Sequence, residues 1–173
     1  MNVAAQRTIR TRPRNGLAIV DVLSGLLLSE LCSPSSEFWL VSGWVSETRV
    51  LDNAAHRFDD LLGVGAPTEL FLSDVLVELA RRGAKVHVAV RDVDHNTSFL
   101  RRLENRGVPL YTHSSPDLHE KLLVGDDWVM RGSMNFTWNG LQRNEESIDL
   151  QVGGTAAARE RLELQTRWIG PCE

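Results

Sequence analysis

His119-Glu120-Lys121-Leu122-Leu123-Val124-Gly125-Asp126-Asp127-Trp128-Val129-Met130-Arg131-Gly132-Ser133-Met134-Asn135 sets two apolar runs on either side of a Gly-Asp-Asp turn. Residues 121–124 and 128–130 therefore read as the strands of a hairpin closed by Gly125, Asp126 and Asp127. Side chains alternate along a strand, so His119 and Lys121, two apart, share a face. Gly132 and Ser133 end the second strand, and Ser133 and Asn135 can turn back toward that face. Asn144-Glu145-Glu146 follows, and Glu146 opens a further strand. An imidazole, an ammonium, a hydroxyl, a carboxamide and a carboxylate thus fall within 28 residues. Such a set can attack a phosphorus atom and hold its oxygens, and the combination carries weight that no single piece has.

Composition sharpens the point. Of the 19 basic residues only Lys85 and Lys121 are lysines. In so Arg-biased a chain, a lysine at position 121 indicates that a compact point charge is needed there, which a guanidinium fork does not replace. The net charge of −4 gives no overall basic footprint of the kind many nucleic-acid binders carry. Arg7, Arg10, Arg12 and Arg14 nevertheless stand in an acid-free N-terminal stretch. Residues 1–16 are expected to form a flexible basic arm, either simply solvated or reaching a phosphate backbone. Residues 17–173 are expected to form a single domain, long enough to bury a substantial core. Cys32 and Cys172 are far apart and imply neither a disulfide framework nor a zinc site.

Outward from the hairpin, residues 17–32 read as a largely buried helix ended by Ser33-Pro34. The apolar run 22–28 superficially resembles a signal peptide, but Asp21 and Glu30 bracket it and it is too short to span a bilayer. A cytoplasmic protein is expected. Residues 38–42 form a strand, and 43–65 a loop with one helical turn around 53–62. A helix runs from Thr68 to Arg82-Gly83, with Leu70, Leu72, Val75, Leu76, Leu79 and Ala80 at helical spacing. Residues 85–90 make a central strand, a helix begins after Asn96-Thr97, and 108–111 is a short strand. Beyond the hairpin, 147–152 is a strand and 155–168 a helix. This order predicts an α/β fold, a central mixed β-sheet flanked by helices.

The motif residues resemble the phospholipase D superfamily. Its pattern runs His-x-Lys, four residues, Asp, about six residues, then Gly-Ser-x-Asn. His119, Lys121, Asp126, Gly132, Ser133 and Asn135 match, with the interval from Asp126 to Gly132 one residue short. The shortening leaves Asp127 as an alternative to Asp126, a residue that is usually structural in the family. Phe136-Thr137 and Asn144-x-Glu146 also resemble the small bacterial nucleases of this superfamily. Such a fold with a single motif implies one half-site per chain. His56, His87, His95 and His113 are not followed two places on by Lys, so the resemblance implies a homodimer with two copies of His119 facing across a two-fold axis. One would attack phosphorus to give a phosphohistidine, and the other would protonate the leaving oxygen and activate water. Lys121, Ser133 and Asn135 would stabilise the equatorial oxygens, and Glu146 would orient an imidazole. No cofactor and no metal is implied.

Trp44-Val45-Ser46, Val50-Leu51-Asp52-Asn53 and 133–140 also resemble phospholipase-D-like proteins of bacterial DNA-modification and phage-defence gene clusters. That resemblance favours DNA as substrate and other proteins of a restriction system as partners. Three classes of function stay open: a DNA endonuclease, a phospholipase or phosphatidyltransferase, and a nucleic-acid-binding module with partner-dependent or no activity. The lack of a membrane segment or a basic amphipathic helix weighs against lipid. Several bland alternatives stand beside the site residues. Glu145 competes with Glu146, His113 reads as a loop residue and His87 as a half-buried, satisfied histidine. Trp44 and Trp138 read as base-stacking, core or interface residues.

Overall fold

Glu37-Phe38-Trp39-Leu40-Val41-Ser42 is apolar at four consecutive positions, which suits a strand covered on both faces. In the computed structural model, which describes residues 4–11, 18–63 and 65–170, this strand is near the middle of the sheet. The elements in chain order are β1 (Ala5–Arg10), α1 (Ile19–Cys32), β2 (Glu37–Ser42), β3 (Arg49–Asp52), α2 (Asp59–Leu62), β4 (Glu69–Phe71), α3 (Leu72–Arg81), β5 (Lys85–Arg91), α4 (Asp94–Glu104), β6 (Leu110–Ser115), β7 (Lys121–Val124), β8 (Trp128–Gly132), a π-helical turn (Asn139–Arg143), β9 (Ser147–Val152) and α5 (Ala156–Trp168). Seven strands form one mixed sheet in the order β1-β9-β8-β7-β2-β5-β6, and β3 pairs with β4 in a separate ribbon. β2, β5 and β6 run parallel, whereas β7, β8, β9 and β1 add on antiparallel. The fold is α/β with a mixed central sheet flanked by helices.

Alternation along β2 divides the core. Phe38 and Leu40 pack with Leu23, Leu27, Leu76 and Phe99 beneath α1, α3 and α4. Trp39 and Val41 face the other way, with Leu122, Val124, Ala157 and Leu164 beneath α5. Two layers of helix on one sheet are what βα units followed by a meander produce.

Several expectations are corrected. Part of the anticipated arm, Ala5–Arg10, is an edge strand in register with β9 from Ala5↔Val152 to Arg10↔Ser147. Arg7 and Arg10 thus belong to the sheet, while Arg12 and Arg14 lie outside the described residues, as does Cys172. The charged, mostly exposed strand carries no apolar alternation, and its pairing comes from its partner. Leu70 is a strand residue of β4, and α3 starts at Leu72. β6 lies later than expected, extending through His113 to Ser115. α4 begins at Asp94 and not after Asn96-Thr97, because Asn96 uses its side chain elsewhere. That residue is 1% exposed. Its Oδ1 accepts the Val45 N–H at 2.9 Å, and its Nδ2 donates to Gly43 O at 3.0 Å and Arg91 O at 2.7 Å. The β2–β3 loop is thereby fixed to the end of β5.

Candidate active site

The carboxyl ends of parallel strands are where open α/β sheets gather ligand-binding groups, and the motif residues collect there. β7 enters antiparallel to β2 with Lys121 opposite Ser42, at the carboxyl end of β2. His119 precedes that strand and is exposed. A depression of about 180 Å³ is lined by Gly43, Trp44, Arg91, His119, Lys121 and Asn135, with Leu118 at its floor. Lys121 Nζ donates to the carbonyl of His119, tying the ammonium to the backbone that carries the imidazole. Asn135 Oδ1 accepts the N–H of Trp44 at 3.2 Å, which leaves its NH2 as the donating end.

Gly43 permits this closeness. A Cβ there would meet the Leu118 carbonyl at 3.1 Å and the His119 Cα at 3.9 Å. Met134-Asn135-Phe136 is held against the β2–β3 loop: Ser46 N donates to Phe136 O at 2.9 Å, and Phe136 N to Ser42 Oγ at 3.4 Å. The π-helical turn then reverses the chain with Gly140 packed on the Asn135 backbone, where a Cβ would collide. Turns of this kind recur at functional sites.

Ser133 and Glu146 form a second group. The backbone N–H of Ser133 donates to Ser147 O at 3.1 Å, and Ser147 N returns a bond to Ser133 Oγ at 3.1 Å. The Ser133 hydroxyl donates to Glu146 Oε2, and Asn144 Nδ2 donates to Glu146 Oε1 at 3.2 Å. Glu146 rather than Glu145 takes this position. Its carboxylate holds Ser133 and Asn144 in the single chain and makes no hydrogen bond to His119. Gly132 sits where β8 and β9 pack so closely that a Cβ would stand 2.6 Å from Ile148 Cγ2 and from Ser147 O.

Asp126 lies at the opposite end of the hairpin from His119. Its carboxylate accepts Ser36 N at 2.7 Å and Ser36 Oγ at 2.9 Å, its N–H donates to Ser35 Oγ at 2.8 Å, and Arg161 Nη1 donates to its carbonyl at 2.6 Å. It therefore fastens the hairpin tip to the α1–β2 connection and to α5. Among the described residues Asp127 enters through its carbonyl alone, which accepts Gly153 N at 2.6 Å.

One residue lining the depression, Arg91, and one beside its Trp44 rim, His95, carried no sequence signal. Arg91, at the end of β5, adds a second cation, and its Nε donates to Pro116 O at 2.8 Å. His95 lies with its ring centroid 5.8 Å from that of Trp44. Trp44 is 49% exposed and forms the rim, and Trp138 is exposed as well. His113 is away from the depression, beside His87, which is buried and bonded through Nδ1 to His113 Nε2 at 3.2 Å. Among the described residues no cluster of three or more His, Cys, Asp or Glu stands in metal-binding proximity, and no helix is long and apolar enough to cross a membrane.

Residues 49–168 match the family model described as "Cardiolipin synthase, PLD-like domain". No curated protein matches the chain. Among solved structures, it is similar to Nuc from Salmonella typhimurium, a phospholipase D family member, at TM-score 0.62 and 19% identity over 95% of this chain and 93% of that one. NucT from Helicobacter pylori is similar at TM-score 0.58 and 14% identity, over 95% of both chains. Polyphosphate kinase from Porphyromonas gingivalis is similar at TM-score 0.64 and 18% identity, over 98% of this chain and 26% of that one. At these identities the likeness concerns the fold.

Proposed function

The chain belongs to the phospholipase D superfamily, and from that premise we propose that it is a metal-independent phosphodiesterase acting on DNA at a site completed by a second copy of itself. The depression around His119 carries the reading: one exposed imidazole stands beside Lys121, Arg91 and the Asn135 carboxamide. Two cations and an amide donor suit a phosphodiester, whose charge must be held while a nucleophile approaches. One imidazole cannot serve at once as nucleophile and as acid to the leaving oxygen. A second copy related by two-fold symmetry supplies the other.

His119 of one copy attacks phosphorus, and a P–N bond forms as the P–O bond to the leaving strand breaks. The leaving oxygen takes its proton from His119 of the second copy. That imidazole, now neutral, removes a proton from water, whose oxygen displaces the phosphohistidine nitrogen. Lys121, Arg91 and Asn135 hold the non-bridging oxygens. Glu146, bonded to Ser133 and Asn144 in the single chain, turns to a histidine when the two halves meet and keeps its tautomer fixed.

Cleavage of single- and double-stranded DNA in excess EDTA, with His119→Ala alongside and a phospholipid substrate as control, tests the proposal. DNA cleavage that survives EDTA and disappears in the variant is expected. Cleavage abolished by EDTA refutes the chemistry, and turnover confined to lipid refutes the substrate.

A further inference from the structure

The face of the sheet beneath α5 carries a row of flat rings that the catalytic scheme does not use. Trp39, His87 and Tyr111 occupy one register row across β2, β5 and β6, with Trp39 opposite His87 and His87 opposite Tyr111. Their rings stack. Trp39 and His87 are 4.0 Å apart between centroids at 9°, and His87 and Tyr111 are 4.8 Å apart at 20°. His113 lies parallel to the same set, 12° from His87 and 17° from Trp39. The ladder is closed at the inner end, where Trp39 is fully buried, and open at β6, an edge strand on which Tyr111 is 48% exposed. Beside it lies a cleft of about 520 Å³ bordered by Lys85, His87, Tyr111, His113, Gln165 and Trp168.

We propose that this cleft is a nucleobase subsite, in which one base of a single-stranded nucleic acid continues the Trp39–His87–Tyr111 stack while Lys85 meets an adjoining phosphate. Each point follows from the groups present. A stack of near-parallel rings with one free face takes a further planar ring, and stacking of this kind is tolerant of sequence. Lys85, one of the chain's two lysines, shares the His87 face of β5 and makes no ion pair among the described residues. The Glu37 carboxylate, which also lines the cleft and stands opposite Lys85, is already occupied by Trp39 Nε1 and, at 2.6 Å, by Gln165 Nε2. Burial pushes His87 down to about 4 and lowers His113 too, so the ladder is uncharged at neutral pH and does not repel a neutral base. β5 then runs on to Arg91 at the catalytic depression, four residues and roughly 13 Å beyond His87. A base in the cleft and a phosphate at His119 therefore lie within one short stretch of strand.

This inference rests on nucleic acid being the substrate, and its test separates the two. A labelled oligothymidylate and a wholly abasic oligonucleotide of the same length are titrated into the full chain carrying His119→Ala, with Tyr111→Ala, Tyr111→Phe and Lys85→Ala added. The oligothymidylate is expected to bind about 5- to 100-fold tighter than the abasic strand. Tyr111→Ala erases that difference, Tyr111→Phe keeps it, and Lys85→Ala weakens both strands alike. Equal binding of the two strands, unchanged by Tyr111→Ala, overturns the subsite and leaves the DNA reading intact. No binding of either strand overturns the subsite, and overturns the DNA reading as well if a duplex of the same length is also left unbound. A Tyr111→Ala effect accompanied by loss of a dimer in sedimentation makes this face an interface between copies and likewise overturns the subsite.

Discussion

Asn96 offers a perturbation whose sign depends on whether the site's architecture is as described. It stands in the first turn of α4, where surface reasoning welcomes a negative charge: Asn→Asp at a helix N-terminus normally gains about 0.3–1 kcal/mol. Here the side chain is buried and makes three hydrogen bonds to main chain, two of them donated by Nδ2 to the carbonyls of Gly43 and Arg91. Asn96→Ala removes all three and strands their partners, at about 1 kcal/mol per bond, or about 3 kcal/mol in total. For a chain of this size that lowers the melting temperature by roughly 6–12 °C. Asn96→Asp keeps the shape but turns an acceptor oxygen toward two carbonyl oxygens, and so costs more than the alanine. Urea unfolding with an unchanged slope is the assay. Gly43, Trp44 and Arg91 all border the depression, so specific activity well below the melting range is expected to fall in both variants by more than the unfolded fraction accounts for. An Asn96→Asp protein within about 0.5 kcal/mol of wild type, or more stable than it, would refute the clamp.

Asp126→Ala should cost about 1–2 kcal/mol by releasing the hairpin tip from Ser36, yet leave activity per folded molecule near wild type; a large loss of activity at full stability would move Asp126 into the chemistry. Gly132→Ala drives a methyl into Ile148 and the Ser147 carbonyl, and is expected to loosen β8 from β9, displace Ser133 and reduce activity at least tenfold, whereas Gly25→Ala, where a Cβ meets nothing, is the tolerated comparison. Burial, opposed by Glu37 and reinforced by His113 and Lys85, lowers the His87 pKa from 6.5 to about 4. The unfolded chain therefore takes up a proton between pH 6.5 and 4 that the folded chain refuses, so stability is full above pH 6.5 and declines toward pH 4. The decline is at most about 2–3 kcal/mol, and denaturation midpoints of His87→Phe across that range should show a correspondingly flatter profile.

What the sequence revealed follows from where the information resides. β7, β8 and β9 were legible because each alternates or is apolar within its own few residues, and Gly125-Asp126-Asp127 marks the turn. His119, Lys121 and Asn135 come together because a hairpin and one reversal suffice to join them. β1 was not legible, since Arg7 and Arg10 leave it polar and its pairing with β9 is set some 140 residues away. Arg91 was hidden for a similar reason: only the parallel pairing of β5 with β2 brings its strand end to the β7 hairpin. The ring ladder depends on the register of three strands at once, so Trp39, His87 and Tyr111 look unrelated in one dimension. Asn96 has the residue type of a helix cap, and only the packed loop reveals that its amide serves Gly43, Val45 and Arg91.

In the proposed chemistry, His119 becomes covalently bonded to phosphorus in a site shared by two copies. Acid-quenched single turnover of an oligonucleotide in excess EDTA, read by intact-protein mass spectrometry, tests it most directly. A transient adduct of one cleaved strand on His119, reaching no more than one per two chains and absent from His119→Ala, is the result expected. Cleavage that proceeds at full rate with no adduct at any quench time would contradict the account.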